Sequence, residues 1–219
     1  MTITELNNLA TDKVMSLAEL KEDNIYRKIP HNMQKLYVSE SMKIGVGTAN
    51  LIKEKYNDAD IKSICSDKGI TIKFIDKIPK LKFIKIRADY SHQEKCLNIY
   101  NSSIEEMYKQ FNKIDMGFKL NVDDIINIHI AHELYHYLEY EEIGLTNEIL
   151  PKITLFKFGS IERKSTVVKT REIAAHMFCR KMLNLSVHPK WIDYIYLLAA
   201  SEIKYKDLKE YLLNLKEEK

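Results

Sequence analysis

The stretch from Asn121 to Glu141 constrains this chain more than any other, because every local signal in it favours a single helix. Asn121 is a preferred N-cap residue with Asp124 at the third helical position, a weaker form of the capping box. Leu120 and Ile125 stand where a hydrophobic staple would place them. Asp123 and Asp124 suit the positive end of the helix dipole. Ile126, Ile130, Leu134 and Leu138 then recur at every fourth residue, so the helix predicted from Val122 to about Glu141 turns one stripe toward a core.

Around this helix the pattern changes twice. From about Thr11 to Lys68 it is helical, with helices predicted near 11–21, 32–42, 45–56 and 58–67, the last entered at Asp58 or Asp60 and closed by Gly69. The runs Ile70–Ile75 and Leu81–Ile86 are β-branched and alternating, and Cys96–Tyr100 is a third run. Three short strands so close together predict a small antiparallel meander, since each parallel return would need a dozen or more residues. Helical pattern resumes near Ser103. After the central helix comes a basic connection from Glu142 to Lys164 with Gly144, Pro151 and Gly159, expected to be structureless and a candidate lid. Helices are predicted from Thr166 to Leu185 and near 188–199 and 204–215.

The expected fold is therefore α+β and predominantly helical, a small antiparallel sheet packed on helices. With 219 residues, 45% of them hydrophobic, the chain can bury one good core but hardly two. The division expected is a helical N-terminal extension over 1–44, one domain over 45–186, and closing helices over 187–219 packed on that domain.

Composition narrows the partners. Thirty-four basic and 31 acidic side chains leave a formal charge of +3, too small to predict a nucleic-acid surface or an anionic membrane surface. Lys-rich turns from Lys73 to Lys82 read as solvated strand edges. Cys65, Cys96 and Cys179 are odd in number and form no CxxC pair, so they read as reduced core thiols. The start MTITELNNLA has no basic and apolar leader pattern, and no run approaches a membrane span, so the cytoplasm is the expected compartment.

Within the best helix stands His132-Glu133-Leu134-Tyr135-His136, an HExxH motif. Residues four apart on a helix lie about 40° apart in direction, so both imidazoles reach one metal ion from the same face. Glu133 lies beside the pair, where its carboxylate can take a proton from water without coordinating. A catalytic zinc usually takes three protein ligands and keeps a fourth position open. Glu172 is the leading third ligand, because it falls in the stripe Val168, Ala175, Cys179 and Leu183 of the following helix, where a carboxylate needs a cation. That cation is zinc, or a basic side chain such as Arg171 in an ordinary ion pair. Glu139, Glu141 and Glu142 are expected to face solvent. His129 flanks the motif one turn earlier, and His31, His92 and His188 stand alone.

These residues resemble the ImmA/IrrE metallopeptidase family. The resemblance rests on His132-Glu133-Leu134-Tyr135-His136 followed, thirty-six residues after His136, by Glu172-Ile173-Ala174-Ala175-His176-Met177-Phe178. The strand starting Gly69-Ile70-Thr71-Ile72 and the strand end Asn98-Ile99-Tyr100 are similar too, so roughly residues 45–185 are covered. The resemblance implies a minimal zincin fold, His132, His136 and Glu172 as Zn2+ ligands, and Glu133 as catalytic base. His176 stands where the family often has Asn. It is a candidate for orienting a ligand or donating to the reacting oxyanion, with Tyr90 and Tyr100 as other oxyanion candidates.

The function this implies is a zinc-dependent metallopeptidase that cuts a specific intracellular protein, with a transcriptional repressor as the substrate suggested by the family's part in stress responses and mobile-element induction. Zinc is the one cofactor expected, and no direct nucleic-acid or membrane contact. The alternatives are a zinc-containing regulatory or binding module without protease activity, and a helical interaction protein in which HExxH is accidental.

Overall fold

The computed structural model describes residues 3–76 and 86–218. Four helices lead, α1 (Ile3–Leu9), α2 (Asp12–Lys21), α3 (His31–Lys55) and α4 (Ile61–Asp67). A three-stranded sheet follows, β1 (Thr71–Ile75), β2 (Ala88–Ser91) and β3 (Cys96–Tyr100). Then come α5 (Asn101–Phe111), α6 (Val122–Leu138), the short α7 (Thr146–Ile149) and a hairpin of β4 (Ile153–Phe158) and β5 (Ile161–Ser165). The chain closes with α8 (Lys169–Met182), α9 (Pro189–Ala199) and α10 (Tyr205–Glu217). This is a mixed α+β fold, mostly helical, with small sheets.

The central helix is α6, and its start follows the sequence closely. Asp124 N donates to the Asn121 side chain and Asn121 N to the Asp124 carboxylate, both at 2.8 Å, which completes the capping box. Leu120 and Ile125 are both buried, as a staple requires. Beyond the predicted stripe, Ile128, Ala131, Tyr135 and Tyr137 are also buried. A helix apolar nearly all round belongs inside. It is covered by α4, α5, α8, β2 and β3. Truncating Ile130, Leu134 or Leu138 to alanine is expected to cost about 2–5 kcal/mol, since each has no exposed surface. At its end α6 widens into a π-helical turn, Glu139–Ile143, stopped by Gly144 at φ +82°, a conformation glycine accepts without strain.

Several sequence expectations need correction. The sheet is not an antiparallel meander: its order is β1-β3-β2, with β1 parallel to β3 and only β2 antiparallel to it. The connection from Ile75 to Cys96 is long enough for a parallel return, and β2 pairs on the far side of β3. The run Leu81–Ile86, except for its last member, and most of the lysine-rich turn before it lie outside the described residues. The helices expected at 32–42 and 45–56 are one 25-residue helix, α3. Gly45 does not break it but lets it approach α8, since a Cβ there would lie 2.1 Å from the Ala174 oxygen. The connection from Glu142 to Lys164 is not structureless; it holds part of the π turn, α7 and the hairpin.

Other expectations stand. Asp60 caps α4, accepting from the amides of Lys62 and Ser63 at 3.0 Å. All three cysteines are buried and free. Among the described residues, no helix is long and apolar enough to cross a membrane.

Candidate metal centre

Two helices supply the candidate ligands. His132 and His136, one turn apart on α6, present their rings on the same side, while α8 packs across α6 and brings Glu172 from its first turn. The Nε2 atoms of His132 and His136 are 3.1 Å apart. Glu172 Oε2 lies 3.1 Å from His132 Nε2, and Oε1 lies 3.5 Å from His136 Nε2. One ligand atom from each residue falls within 4.8 Å of the others.

The start of α8 is held from the N-terminal part of the chain. Val168 offers no side-chain cap, and the Lys169 amide donates instead to Asp23 Oδ2 at 2.9 Å. Lys169 Nζ also pairs with Glu19 at 2.6 Å. The helix turn that carries Glu172 is thus anchored on α2 and the turn after it, outside the span of the family resemblance.

His136 is fixed from behind by a residue expected to face solvent. Glu139 has a fully buried side chain, and its Oε2 lies 2.9 Å from His136 Nδ1. The same carboxylate accepts from Arg171 Nε and from the Thr146 amide, each at 2.9 Å. The i,i+3 spacing from His136 is the sequence signal that could have found it. Glu141 and Glu142 are exposed or partly so, close to expectation, and Glu142 pairs with Lys68. Because Arg171 is taken by Glu139, the basic side chain named as Glu172's alternative partner sits on the other carboxylate.

The donor set fits zinc chemically. Two imidazoles and a carboxylate form a borderline-soft set. Nitrogens about 2.0–2.1 Å from a tetrahedral ion would be separated by roughly 3.3 Å, close to the spacing found. Two facing Nε2 atoms and a carboxylate would each offer a lone pair to a cation placed between them. Burial opposes a charged His136, yet its bonds to Glu139 and Glu172 outweigh this and push it up to about 10. Burial likewise opposes ionised Glu172, but the two histidines hold its carboxyl far below the usual range.

The group opens on a cavity of about 400 Å³ whose wall includes His129, His132, Glu133, Glu172 and His176. Glu133 stands in that wall beside the cluster but outside it. His176 is 9% exposed, with its ring 5.2 Å from that of His132. Its Nδ1 has no hydrogen bond among the described residues and lies 4.0 Å from Glu19 Oε2. Burial, and then the charges of His132, His188 and Lys190, hold this imidazole neutral. His129 Nε2 is also buried without a described partner, and burial pushes that ring down to about 3.

The two tyrosines named as oxyanion candidates do not line the cavity. Tyr100 donates to Asp89 at 2.6 Å, and Tyr90 packs edge-on against Tyr137. Two cations that sequence reasoning missed do line it, Arg87 and Lys169. Arg87 donates to Asp193 at 3.0 Å and stacks over Tyr196, while Lys169 is held by Glu19 and Glu22. No spacing rule marks either one. His31 is exposed, His92 packs against Tyr140, and His188 is a buried N-cap of α9.

Comparison with known proteins gives no match: no family model, no curated protein and no solved structure matches this chain significantly.

Proposed function

We propose that this chain is a zinc-dependent metallopeptidase with a minimal zincin-like fold of the ImmA/IrrE type. The observation that carries the reading is the convergence of His132, His136 and Glu172, with His132, Glu172 and Glu133 lining one cavity and Arg171 engaged by Glu139 instead. Bound zinc supplies Lewis acidity toward the scissile carbonyl and the attacking water. Glu133 takes the water's proton and passes it to the leaving amine, a task for a carboxylate close to the ligands but not one of them. Glu139 lies 2.9 Å from His136 Nδ1, so with a metal bound it would accept from Nδ1–H and leave Nε2 free to coordinate. His176 lines the same cavity and is the side chain we assign to the developing oxyanion.

The substrate is an intracellular protein segment that can become extended, because a cavity of this size takes a few residues and not a folded domain. That it belongs to a transcriptional repressor is an inference from the family resemblance; the residues themselves support only a peptide bond. The test compares protein termini in the native cell under stress for wild-type and Glu133→Gln forms. A discrete product that needs Glu133 is the expected result. Identical termini under conditions that activate the wild type would favour a zinc-containing binding module, which has no use for a base.

A further inference from the structure

The hairpin of β4 and β5 carries an apolar face that no described part of the fold covers. Phe156, Phe158 and Ile161 are 55%, 74% and 65% exposed. The pairing sets Phe158 opposite Ile161 and Phe156 opposite Arg163, so these four share one face, while Lys157 and Glu162 share the other. Glu162 does not neutralise Lys157, because it is held by Thr154 and Lys164. Among the described residues, Lys157 and Arg163 have no acidic partner. The sheet has two strands only, so the outer edge of β4 has no strand beside it among the described residues.

We propose that the open edge of β4 binds an extended protein segment in which apolar residues alternate with acidic ones, as an added third strand. Along that edge Phe156, Lys157 and Phe158 alternate between the faces, so an added strand matches them with apolar residues on one side and carboxylates on the other. Unpaired N–H and C=O groups on the edge gain hydrogen bonds from such a segment. A bilayer is the poorer occupant, since an open strand edge in hydrocarbon leaves those groups unsatisfied. A second copy is poorer as well. Three side chains of this size present on the order of 400 Å² per copy, too little for a stable two-fold interface.

The hairpin leaves the body just before α8, whose first turn carries Glu172. A segment captured there is held at a point in the chain a few residues before the turn that carries Glu172, and its role in delivering substrate rests on the peptidase reading. Binding itself does not, so it is measured on the Glu133→Gln protein.

The probe is a fluorescein-labelled nonapeptide alternating valine with glutamate, with its valine–lysine counterpart as control. The glutamate peptide binds several-fold more tightly, and Lys157→Glu reverses that order. Phe158→Ser weakens binding roughly tenfold or more while leaving the unfolding temperature unchanged, since the side chain is largely solvent-exposed. The proposal is overturned by equal binding of the two peptides or by binding that survives Phe158→Ser. It is also overturned if hairpin-dependent binding is found for phosphatidylserine vesicles, or if sedimentation shows a dimer that Phe158→Ser dissolves. Failure of Glu133-dependent cleavage with peptide binding intact would count against the peptidase reading alone.

Discussion

His136 is gripped between two carboxylates, Glu172 on the side of the proposed metal and Glu139 behind. The second contact has a consequence for metal affinity. Replacing Glu139 by glutamine should lower zinc affinity about 10–100-fold, the usual effect of losing a ligand's hydrogen-bond partner, measured by competition with a chromogenic chelator. Unchanged affinity would show that Glu139 serves only Arg171 and Thr146. The histidine pair was legible from helical spacing, and Glu172 from its place in an apolar stripe of the following helix and from the family resemblance. Glu139 was not, because an acidic residue late in a helix ordinarily faces water, and here a π-helical turn and α7 bury it. Val168 errs in the other direction: its place in the predicted stripe suggested burial, but it precedes the first turn of α8 and is 54% exposed.

The elements that hold the site depend on close helix packing. Gly45 lets α3 lie against the backbone of α8 at Ala174, in the turn that follows Glu172. Gly45→Ala should therefore cost about 1–3 kcal/mol or more by overpacking. Gly47→Ala, where nothing lies within 4 Å, should gain about 0.5–1 kcal/mol by helix propensity. Denaturant unfolding of both variants checks this, and equal effects would contradict the packing described. The sequence could not separate these two glycines, which stand two residues apart at the start of the helix expected over 45–56. The α9 cap adds a dependence on pH. His188 is buried, and burial, then the charges of Arg180 and Lys190, pushes it down to about 3. The unfolded chain binds this proton near pH 6.5 and the folded one does not. Its stabilising effect is thus fully present above about pH 6.5 and is lost as pH falls toward 3. His188→Asn keeps a capping side chain without titrating, so its stability should fall less steeply over that range. An unchanged slope would mean that His188 is charged in the folded protein. The parallel pairing of β1 with β3 was hidden for a different reason: β2, Ala-Asp-Tyr-Ser, has little strand propensity, so the sequence showed no strand on the far side of β3.

At the scale of the whole molecule, α2 and the turn after it are part of the candidate site. Glu19 and Glu22 line the cavity, and Asp23 holds the start of α8. Composition showed the one-core size and the small net charge, but no local pattern could reveal that α2 reaches the cavity, because that is a long-range contact. A cavity of about 400 Å³, walled from α2, α5, α6, α8 and α9, should admit few substrates. The zinc form is expected to digest casein slowly, and rapid digestion blocked by a chelator would contradict that.

The central claim is the ligand set, and metal content by mass spectrometry tests it most directly. The wild type and Glu133→Gln should each hold close to one zinc per chain after dialysis, since Glu133 stands outside the ligands. His132→Ala, His136→Ala and Glu172→Ala should each lose most of it while remaining folded by circular dichroism. Full zinc occupancy in Glu172→Ala, or none in the folded wild type supplied with zinc, would contradict the account.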